Sequence, residues 1–329
     1  MKHRLSGFNF PMSVSPMVVF AVIVALVGCA SIDNAGQGEL VRPQTALPSV
    51  ASQNITLAAT DNRAIDVRVF YPQIGCEKCP AIIFSHGAFS TYDRYDVLLT
   101  AWASNGYIVA APLHVDSELH PNKDQYTQAD ALGLRIEDFT LTSQHFHTNA
   151  DLEIDGLSTS SEIIAAGHSF GAIIAQVAGG AMLDPAAYTH DEIAGPAPLA
   201  IVALSPPGAI PNFLSKEGWH SISHPMFLIT GTQDVLPGFV PEWELRLDSY
   251  NAAPSSLSIA AVFEGADHYF NGAFGRLSET DASVLRDIES LNSLILDFVQ
   301  TARDGWTDEG KLRLANRDLV NVTIMMEQN

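Results

Sequence analysis

Short runs of apolar residues alternate along this chain with longer segments in which apolar residues recur every three or four positions. Continuous apolar runs bounded by turn residues are typical of strands buried on both faces of a parallel sheet. Two earlier segments alternate apolar and polar positions instead, which predicts antiparallel strands near the start of the fold. The continuous runs are residues 80–85, 107–111, 163–166, 199–204, 226–230 and 257–263, and the alternating segments are residues 54–57 and 64–71.

Helical periodicity marks four segments between these runs, and the last of them has an apolar stripe that predicts packing against the core. Strands that alternate with helices predict an α/β fold with a mostly parallel central sheet flanked by helices. Only residues 205–225 separate two of the predicted strands, so we expect no large cap domain. The helical segments are residues 95–103, 129–146, 171–183 and 282–302, and the stripe consists of Leu285, Ile288, Leu291, Leu294, Ile295 and Phe298.

One apolar run leads into Gly167-His168-Ser169-Phe170-Gly171 and then into a predicted helix. This is the pattern of a nucleophile elbow, in which a serine lies on a sharp turn between a strand and a helix. The turn needs a small residue on either side, and the amides that open the helix point at the reacting atom. An ordinary glycine-rich turn is the alternative that this pattern alone leaves open.

Asp234 and His268 each follow a later predicted strand. Serine, acid and histidine in this order, each in a loop after a strand, are typical of the α/β-hydrolase arrangement. We expect His268 to take the proton of the Ser169 hydroxyl and Asp234 to orient the imidazole. Asp267 is the rival acid, and Asp234 is preferred because an immediate neighbour of the histidine usually points elsewhere.

The run at residues 80–85 leads into His86-Gly87-Ala88-Phe89, where glycine allows backbone amides to face an anion. The backbone amides of Ala88 and Phe170 are therefore predicted to form an oxyanion hole.

Side chains near these positions are candidates for the pocket wall. We expect His86, Phe89, His114 and Tyr269 to contribute, although a lone histidine at a strand end, such as His114, is more often a satisfied core or surface residue. His168 and His86 are predicted to pack and hydrogen-bond rather than to transfer protons. On the helix at residues 129–146, Arg135 and Asp138 suit solvent or a polar contact.

The chain from about residue 50 to about residue 305 resembles the α/β-hydrolase superfamily. The motifs Phe84-Ser85-His86-Gly87 and Gly167-His168-Ser169-Phe170-Gly171, with the segment 103–111 followed by His114 and Asp116, are similar to one branch of it. That branch contains platelet-activating-factor acetylhydrolases, chlorophyllases and dienelactone-hydrolase-like esterases, and the resemblance implies carboxylic ester hydrolysis. Ala172 stands where many relatives carry a further glycine. Dienelactone hydrolases proper use cysteine as the nucleophile, so their lactone chemistry is not carried over.

The N-terminus has the pattern of a bacterial lipoprotein signal. A basic start at residues 2–4 precedes an apolar stretch at residues 14–27, and small residues lead to Cys29. The apolar stretch is too short for a confident membrane span, so cleavage before Cys29 is preferred to a plain secretory peptide or an uncleaved anchor. Lipid on Cys29 predicts an anchored protein of the bacterial cell envelope, at the outer membrane and facing the periplasm or the exterior.

These signals divide the chain into a signal peptide at residues 1–28, a flexible tether at 29–49, a catalytic domain at 50–305 and a C-terminal tail at 306–329.

Two further cysteines, Cys76 and Cys79, are present besides Cys29, and a small loop disulfide between them is expected in an oxidising compartment. No second ligand pair accompanies them, so neither a metal nor a cofactor is predicted. The net charge of -20 argues against nucleic-acid partners and weakly favours neutral or cationic substrates.

The sequence therefore predicts a serine carboxylic ester hydrolase that forms an acyl-enzyme with a small-molecule ester, either neutral and small or lipid-like. An amidase or peptidase would use the same three side chains, and a non-catalytic binding lipoprotein on a hydrolase scaffold is a further alternative. The sequence gives no prediction of the oligomeric state.

Overall fold

A computed structural model describes residues 49–148, 152, 154, 156–188, 195–274 and 282–326. Nine strands form one sheet in the order β1-β2-β4-β3-β5-β6-β7-β8-β9. Strands β3 to β8 are parallel to one another, and β1, β2 and β9 add antiparallel edges. The strands are β1 (Val50–Ala58), β2 (Ala64–Pro72), β3 (Cys76–Ser85), β4 (Ile108–Pro112), β5 (Leu157–His168), β6 (Ala200–Leu204), β7 (Met226–Gln233), β8 (Ser258–Asp267) and β9 (Val322–Met325).

Helices cover both faces of the sheet, which is why the central strands are apolar without alternation. The helices are α1 (Asp96–Ser104), α2 (Gln128–Thr148), α3 (Phe170–Ala178), α4 (Asp248–Ala252), α5 (Ala282–Arg303) and α6 (Asp308–Ala315). Helices α1 and α5 pack on the face that carries Ile82 and Phe84, and α2 and α3 pack on the face that carries Ala81 and Ile83. The mostly parallel α/β fold predicted from the pattern is confirmed.

The loops that follow the parallel strands meet at one edge of the sheet, because the carboxyl ends of parallel strands point the same way. The elbow follows β5, the acid follows β7 and the histidine follows β8. Residues 205–225, between β6 and β7, contain one short 3-10 helix (Lys216–Ser221) and no large insertion. None of the described helices is long and apolar enough to cross a bilayer.

Two elements differ from the sequence predictions. Helix α3 ends at Ala178 rather than at residue 183, because the chain leaves the helical conformation at Gly180, which adopts φ +107. The backbone at Gly179 packs closely against β6, where a Cβ would lie 2.0 Å from the Ile201 side chain. The region expected as a tail after residue 305 instead contributes α6 and β9, and β9 pairs with Ala260 to Phe263 of β8. A strand of four residues gives almost no periodic signal in the sequence.

Cys76 and Cys79 are joined in a disulfide with a Cα to Cα distance of 5.9 Å. They lie at the start of β3, at the opposite end of the strand from Ser85 and the loop that follows it. Cys29 and the signal peptide predicted around it lie outside the described residues, as does most of the expected tether.

Candidate active site

Ser169 occupies the sharp turn between β5 and α3. Its backbone has φ 55 and ψ -118, a conformation that non-glycine residues rarely adopt. The two flanking glycines allow the turn: a Cβ on Gly167 would lie 2.1 Å from the Gly171 carbonyl oxygen, and one on Gly171 would lie 1.9 Å from the Ser85 carbonyl oxygen. The backbone at the elbow is therefore packed so closely that a methyl group fits at neither position.

His268 lies within hydrogen-bond distance of both Ser169 and Asp234. The Ser169 hydroxyl is 3.1 Å from Nε2 of His268, and Nδ1 of His268 is 2.8 Å from Oδ1 of Asp234. Asp234 is fully buried, His268 is nearly so, and Ser169 is partly exposed. The structure thus brings the three predicted side chains together in the predicted order. The rival acid, Asp267, accepts the backbone amides of Tyr269 and Asn271 within its own loop.

A buried arginine that the sequence did not reveal holds Asp234. Arg246 lies with Nη2 2.9 Å from Oδ1 of Asp234, and it also donates to the carbonyl oxygens of Asp234 and Ser205. The Thr230 hydroxyl donates to the other carboxylate oxygen at 2.9 Å. Burial alone would raise the pKa of the Asp234 carboxyl, but the hydrogen bond from His268 and the charge of Arg246 outweigh it and hold the pKa below its ordinary value. Asp234 is thereby kept ionised as a fixed anion behind the imidazole.

His168 links three loops at the site by hydrogen bonds. Its Nε2 donates to the carbonyl oxygen of His268 at 2.8 Å, and its Nδ1 accepts from the Tyr95 hydroxyl at 2.9 Å. The same hydroxyl accepts the Gly87 amide at 3.1 Å. Burial and the neighbouring His268 lower the pKa of His168 to about 3, so the ring stays neutral in the tautomer that these bonds require. His168 is therefore a structural link between the loops that carry Gly87, Ser169 and His268.

The loop after β3 lies directly against the elbow. A Cβ on Gly87 would be 3.6 Å from Cβ of Ser169, so the backbone of this loop passes beside the nucleophile. The backbone amides of Ala88 and Phe170, predicted to face an oxyanion, have no acceptor among the described residues. Unpaired amides beside a serine are the arrangement that stabilises a developing alkoxide.

A second buried arginine holds the same loop from behind. Arg135 donates to the carbonyl oxygens of His86 at 2.6 Å and Gly87 at 3.0 Å, and it forms a two-bond ion pair with Asp116. The sequence suggested solvent or a polar contact for Arg135, but the side chain is fully buried. The sequence did contain one indication of this burial: Arg135 lies three residues after Leu132, on the apolar face of α2.

His86 and His114 do not line an open pocket, which corrects their predicted role, because both are fully buried. Nε2 of His86 accepts the His114 amide at 3.1 Å. His114 instead joins a second serine and aspartate: the Ser85 hydroxyl is 2.8 Å from its Nε2, and Oδ2 of Asp138 is 3.0 Å from its Nδ1. Arg63 pairs with Asp138 at 2.7 Å. We refer to Ser85, His114, Asp138 and Arg63 as the buried set.

Exposed apolar side chains adjoin the site. Phe89 follows Ala88 and is 48% exposed, and Tyr269 follows His268 and is 51% exposed; their place at a pocket wall stays a prediction. Leu119, Val235 and Phe239 are also exposed, in loops that follow β4 and β7. The described residues contain no group of three His, Cys, Asp or Glu side chains suited to a metal ion.

Comparisons with known proteins agree with this scaffold. The sequence model of the family described as platelet-activating factor acetylhydrolase, isoform II, matches residues 44–132, which include β1 to β4 and the loop after β3. A solved structure described as a dienelactone hydrolase, from Klebsiella pneumoniae subsp. pneumoniae, has a TM-score of 0.52 and 14% sequence identity, and the match covers 74% of this chain and 98% of that one. None of the curated proteins compared with the chain matches it.

The resemblance stated from the motifs is confirmed by these two matches, and the chain has the α/β-hydrolase fold. The matching family is one of acetylhydrolases, and the structural match shows the fold alone.

Proposed function

We propose that the protein is a serine carboxylic ester hydrolase that forms an acyl-enzyme on Ser169. The observation that carries the proposal is the position of Ser169: it lies on a strained turn, partly exposed, with its hydroxyl 3.1 Å from an imidazole that a buried aspartate orients. Strain at a nucleophile is maintained only where the surrounding structure over-determines it, and the close backbone packing at Gly167 and Gly171 does so here.

In the first half of the reaction the Ser169 oxygen attacks the ester carbonyl carbon while Nε2 of His268 takes the hydroxyl proton. The carbonyl oxygen becomes an alkoxide, and the amides of Ala88 and Phe170 are the donors that we propose for it. The loss of one such donor typically costs about 3 kcal/mol of transition-state stabilisation. Asp234 stabilises the imidazolium without taking the proton.

The tetrahedral intermediate then collapses. The bond to the alcohol oxygen breaks, His268 returns its proton to that oxygen, and the acyl group stays on Ser169. In the second half, a water molecule takes the place of the alcohol: His268 removes its proton, the hydroxide adds to the acyl carbon, and the carboxylic acid leaves as Ser169 regains its proton. No cofactor enters either half.

We propose a neutral ester, small or lipid-like, as substrate. Phe89 and Tyr269 present apolar surface beside Ser169, and the net charge of -20 disfavours anionic substrates.

We also propose a lipid anchor on Cys29 and a location in the bacterial cell envelope. Incorporation of labelled palmitate into the wild type and not into Cys29→Ala would support the anchor, and equal labelling would refute it.

The decisive experiment combines a covalent probe with turnover. A fluorophosphonate should label one serine, Ser169, as mapped by peptide mass spectrometry, and the wild type should hydrolyse p-nitrophenyl acetate. Ser169→Ala should lose both properties. Ser85→Ala is the matched control, because Ser85 has the same histidine and aspartate partners but is fully buried, and it should keep both.

A wild type that neither reacts with the probe nor hydrolyses esters would refute the proposal and favour a non-catalytic binding protein. A panel of acetyl to long-chain esters beside the matching p-nitroanilides then separates an esterase from an amidase. We expect faster turnover of esters.

A further inference from the structure

We propose that Arg135 is a positioning residue that aims the oxyanion hole, acting on Ala88 through the Gly87 carbonyl group and on Phe170 through its ring. The proposal rests on the proposed function, since it assigns a role at the same site. Arg135 does not contact the reacting atoms. It lies behind the loop that follows β3, on α2, and it is fully buried.

Three donors hold the Gly87 carbonyl oxygen. They are Nη2 of Arg135 at 3.0 Å, the ring nitrogen Nδ1 of His86 at 2.8 Å and the amide of Ser90 at 3.2 Å. The neutral imidazole of His86 can donate through Nδ1 because its Nε2 accepts the amide of His114. Burial and the nearby Arg135 charge lower the pKa of His86 well below its ordinary value.

The direction of that carbonyl fixes the direction of the next amide. In a trans peptide the C=O and N–H bonds point in opposite directions in one plane, and the described residues contain no cis peptide. Pulling the Gly87 carbonyl oxygen toward Arg135 therefore turns the Ala88 N–H away from it. That N–H has no acceptor among the described residues, and the Gly87 backbone lies beside Ser169.

Arg135 also contacts the residue that carries the other predicted donor. Its guanidinium carbon lies 4.8 Å from the centre of the Phe170 ring. One side chain thus touches the two segments whose amides would form the oxyanion hole. The ring contact is a cation–π interaction, which strengthens when the pair is desolvated.

Asp116 fixes the orientation of the guanidinium. Its two carboxylate oxygens accept Nε at 2.8 Å and Nη2 at 3.0 Å, and Oδ2 also accepts the Phe89 amide at 3.3 Å. Burial opposes the ionised form, but the Arg135 charge prevails and lowers the pKa of Asp116 to about 2. Nη1 donates to the His86 carbonyl oxygen at 2.6 Å. Lysine, with one ammonium group, cannot reproduce this planar set of contacts.

Arg135→Lys tests the proposal, with Arg63→Lys as the matched control. Arg63 is also an arginine in an ion pair, with a side chain only 6% exposed, but it belongs to the buried set. Arg135→Lys should lower kcat for p-nitrophenyl acetate roughly 10- to 100-fold with little change in KM, because misaligned donors weaken transition-state contacts. The affinity for a trifluoromethyl ketone, which forms a tetrahedral alkoxide on the serine, should fall by a similar factor.

Arg63→Lys should leave kcat and the trifluoromethyl ketone affinity near the wild-type values. A folded Arg135→Lys with wild-type kcat and wild-type ketone affinity would overturn the proposal, as would a fall in kcat with unchanged ketone affinity. If Arg135→Lys does not fold, Asp116→Asn decides. It loosens the guanidinium and should lower kcat and ketone affinity together, and unchanged values would refute the role.

These outcomes are separable from failure of the proposed function. If the protein is not a serine hydrolase, the wild type itself neither turns over the ester nor reacts with the fluorophosphonate. If only the role of Arg135 is wrong, the wild type is active and Arg135→Lys matches it.

Discussion

Ser169, His268 and Asp234 have a near counterpart in the same molecule, the buried set. In each case a serine hydroxyl lies close to Nε2 of a histidine, at 3.1 Å for Ser169 and 2.8 Å for Ser85. Each histidine reaches a buried aspartate through Nδ1, and each aspartate contacts a buried arginine, at 2.9 Å for Arg246 and 2.7 Å for Arg63. The side-chain chemistry of the two sets is therefore almost the same.

The backbone and the solvent distinguish them. Ser169 lies partly exposed on a strained turn at the start of α3, beside amides that have no acceptor in the described part of the chain. Ser85 ends strand β3, is fully buried, and accepts a further hydrogen bond from Arg135 at 3.4 Å. No substrate can reach Ser85 while the protein is folded. The comparison teaches that a hydrogen-bonded serine, histidine and aspartate can be enclosed in a core, so solvent access and free amide donors are what distinguish Ser169 as the candidate nucleophile.

Replacement of each aspartate by asparagine should separate the two sets most strongly. Asp234→Asn is expected to lower kcat for p-nitrophenyl acetate about 10⁴-fold, because the amide no longer holds the imidazole in the productive tautomer. Asp138→Asn is the matched variant of the buried set and should keep a kcat close to the wild type. Similar losses in the two variants would show that the buried set takes part in the reaction.

Removal of each arginine tests what the sets share. Arg246→Met leaves the Asp234 carboxylate buried without its cation and should lower the free energy of unfolding by about 3–5 kcal/mol. Arg63→Met should cost less, about 1–2 kcal/mol, because Asp138, whose pKa is already about 7, takes up a proton when the cation is lost. Urea unfolding at pH 8 measures this, since Asp138 is then mostly ionised. Arg94→Met is the control: its ion pair with Glu118 is exposed, and its loss should cost less than about 1 kcal/mol.

Only Arg246→Met should also lower kcat, because Arg246 fixes the aspartate behind His268. An Arg63→Met protein as stable as Arg94→Met would mean that packing rather than charge holds the buried set.

The dependence of stability on pH gives the finest distinction. Burial raises the pKa of Asp138 to about 7 against the opposing charge of Arg63, whereas the pKa of Asp234 is lowered. Between the ordinary pKa of 3.8 and about 7, the folded protein keeps a proton on Asp138 that the unfolded chain has lost. This contribution to stability is complete below that window and is lost as the pH rises through it.

In Asp138→Asn that contribution is absent. The unfolding free energy of the wild type minus that of Asp138→Asn should therefore fall, on the order of a few kcal/mol, between pH 4 and pH 7.5. Urea unfolding across this range measures the difference. Parallel curves for the two proteins would show that Asp138 is ionised throughout.

The sequence was sufficient for the parallel strands and for the three side chains that meet beside the elbow, because both depend on local signals. Apolar runs marked the parallel strands, and Ser169, Asp234 and His268 each follow one of them. The ends of elements were less predictable: α3 ends at Ala178, and a side chain at the next residue, Gly179, would clash with Ile201 on β6. Tertiary packing of this kind leaves no trace in a short window of sequence.

The burial of two arginines was the larger feature that the sequence did not predict. Nothing in the sequence distinguishes Arg135 and Arg246 from exposed arginines, because their burial depends on acceptors in distant loops, such as the Gly87 and Ser205 carbonyl groups. Only the helical spacing between Leu132 and Arg135 indicated that this arginine faces the core. His114 was left open between pocket and core for the same reason, because its partner Asp138 lies on another element.

The antiparallel pairing of β9 with β8 has a consequence for handling the protein. β8 carries His268 just beyond its last residue, and β9 shields its outer side at Val262 and Phe263. Truncation ahead of Val322 would leave β8 as an open, apolar sheet edge, a template for self-association. Shortening the polypeptide from this side, or fusing a partner to it, would thus disturb the strand that supports the segment leading to His268.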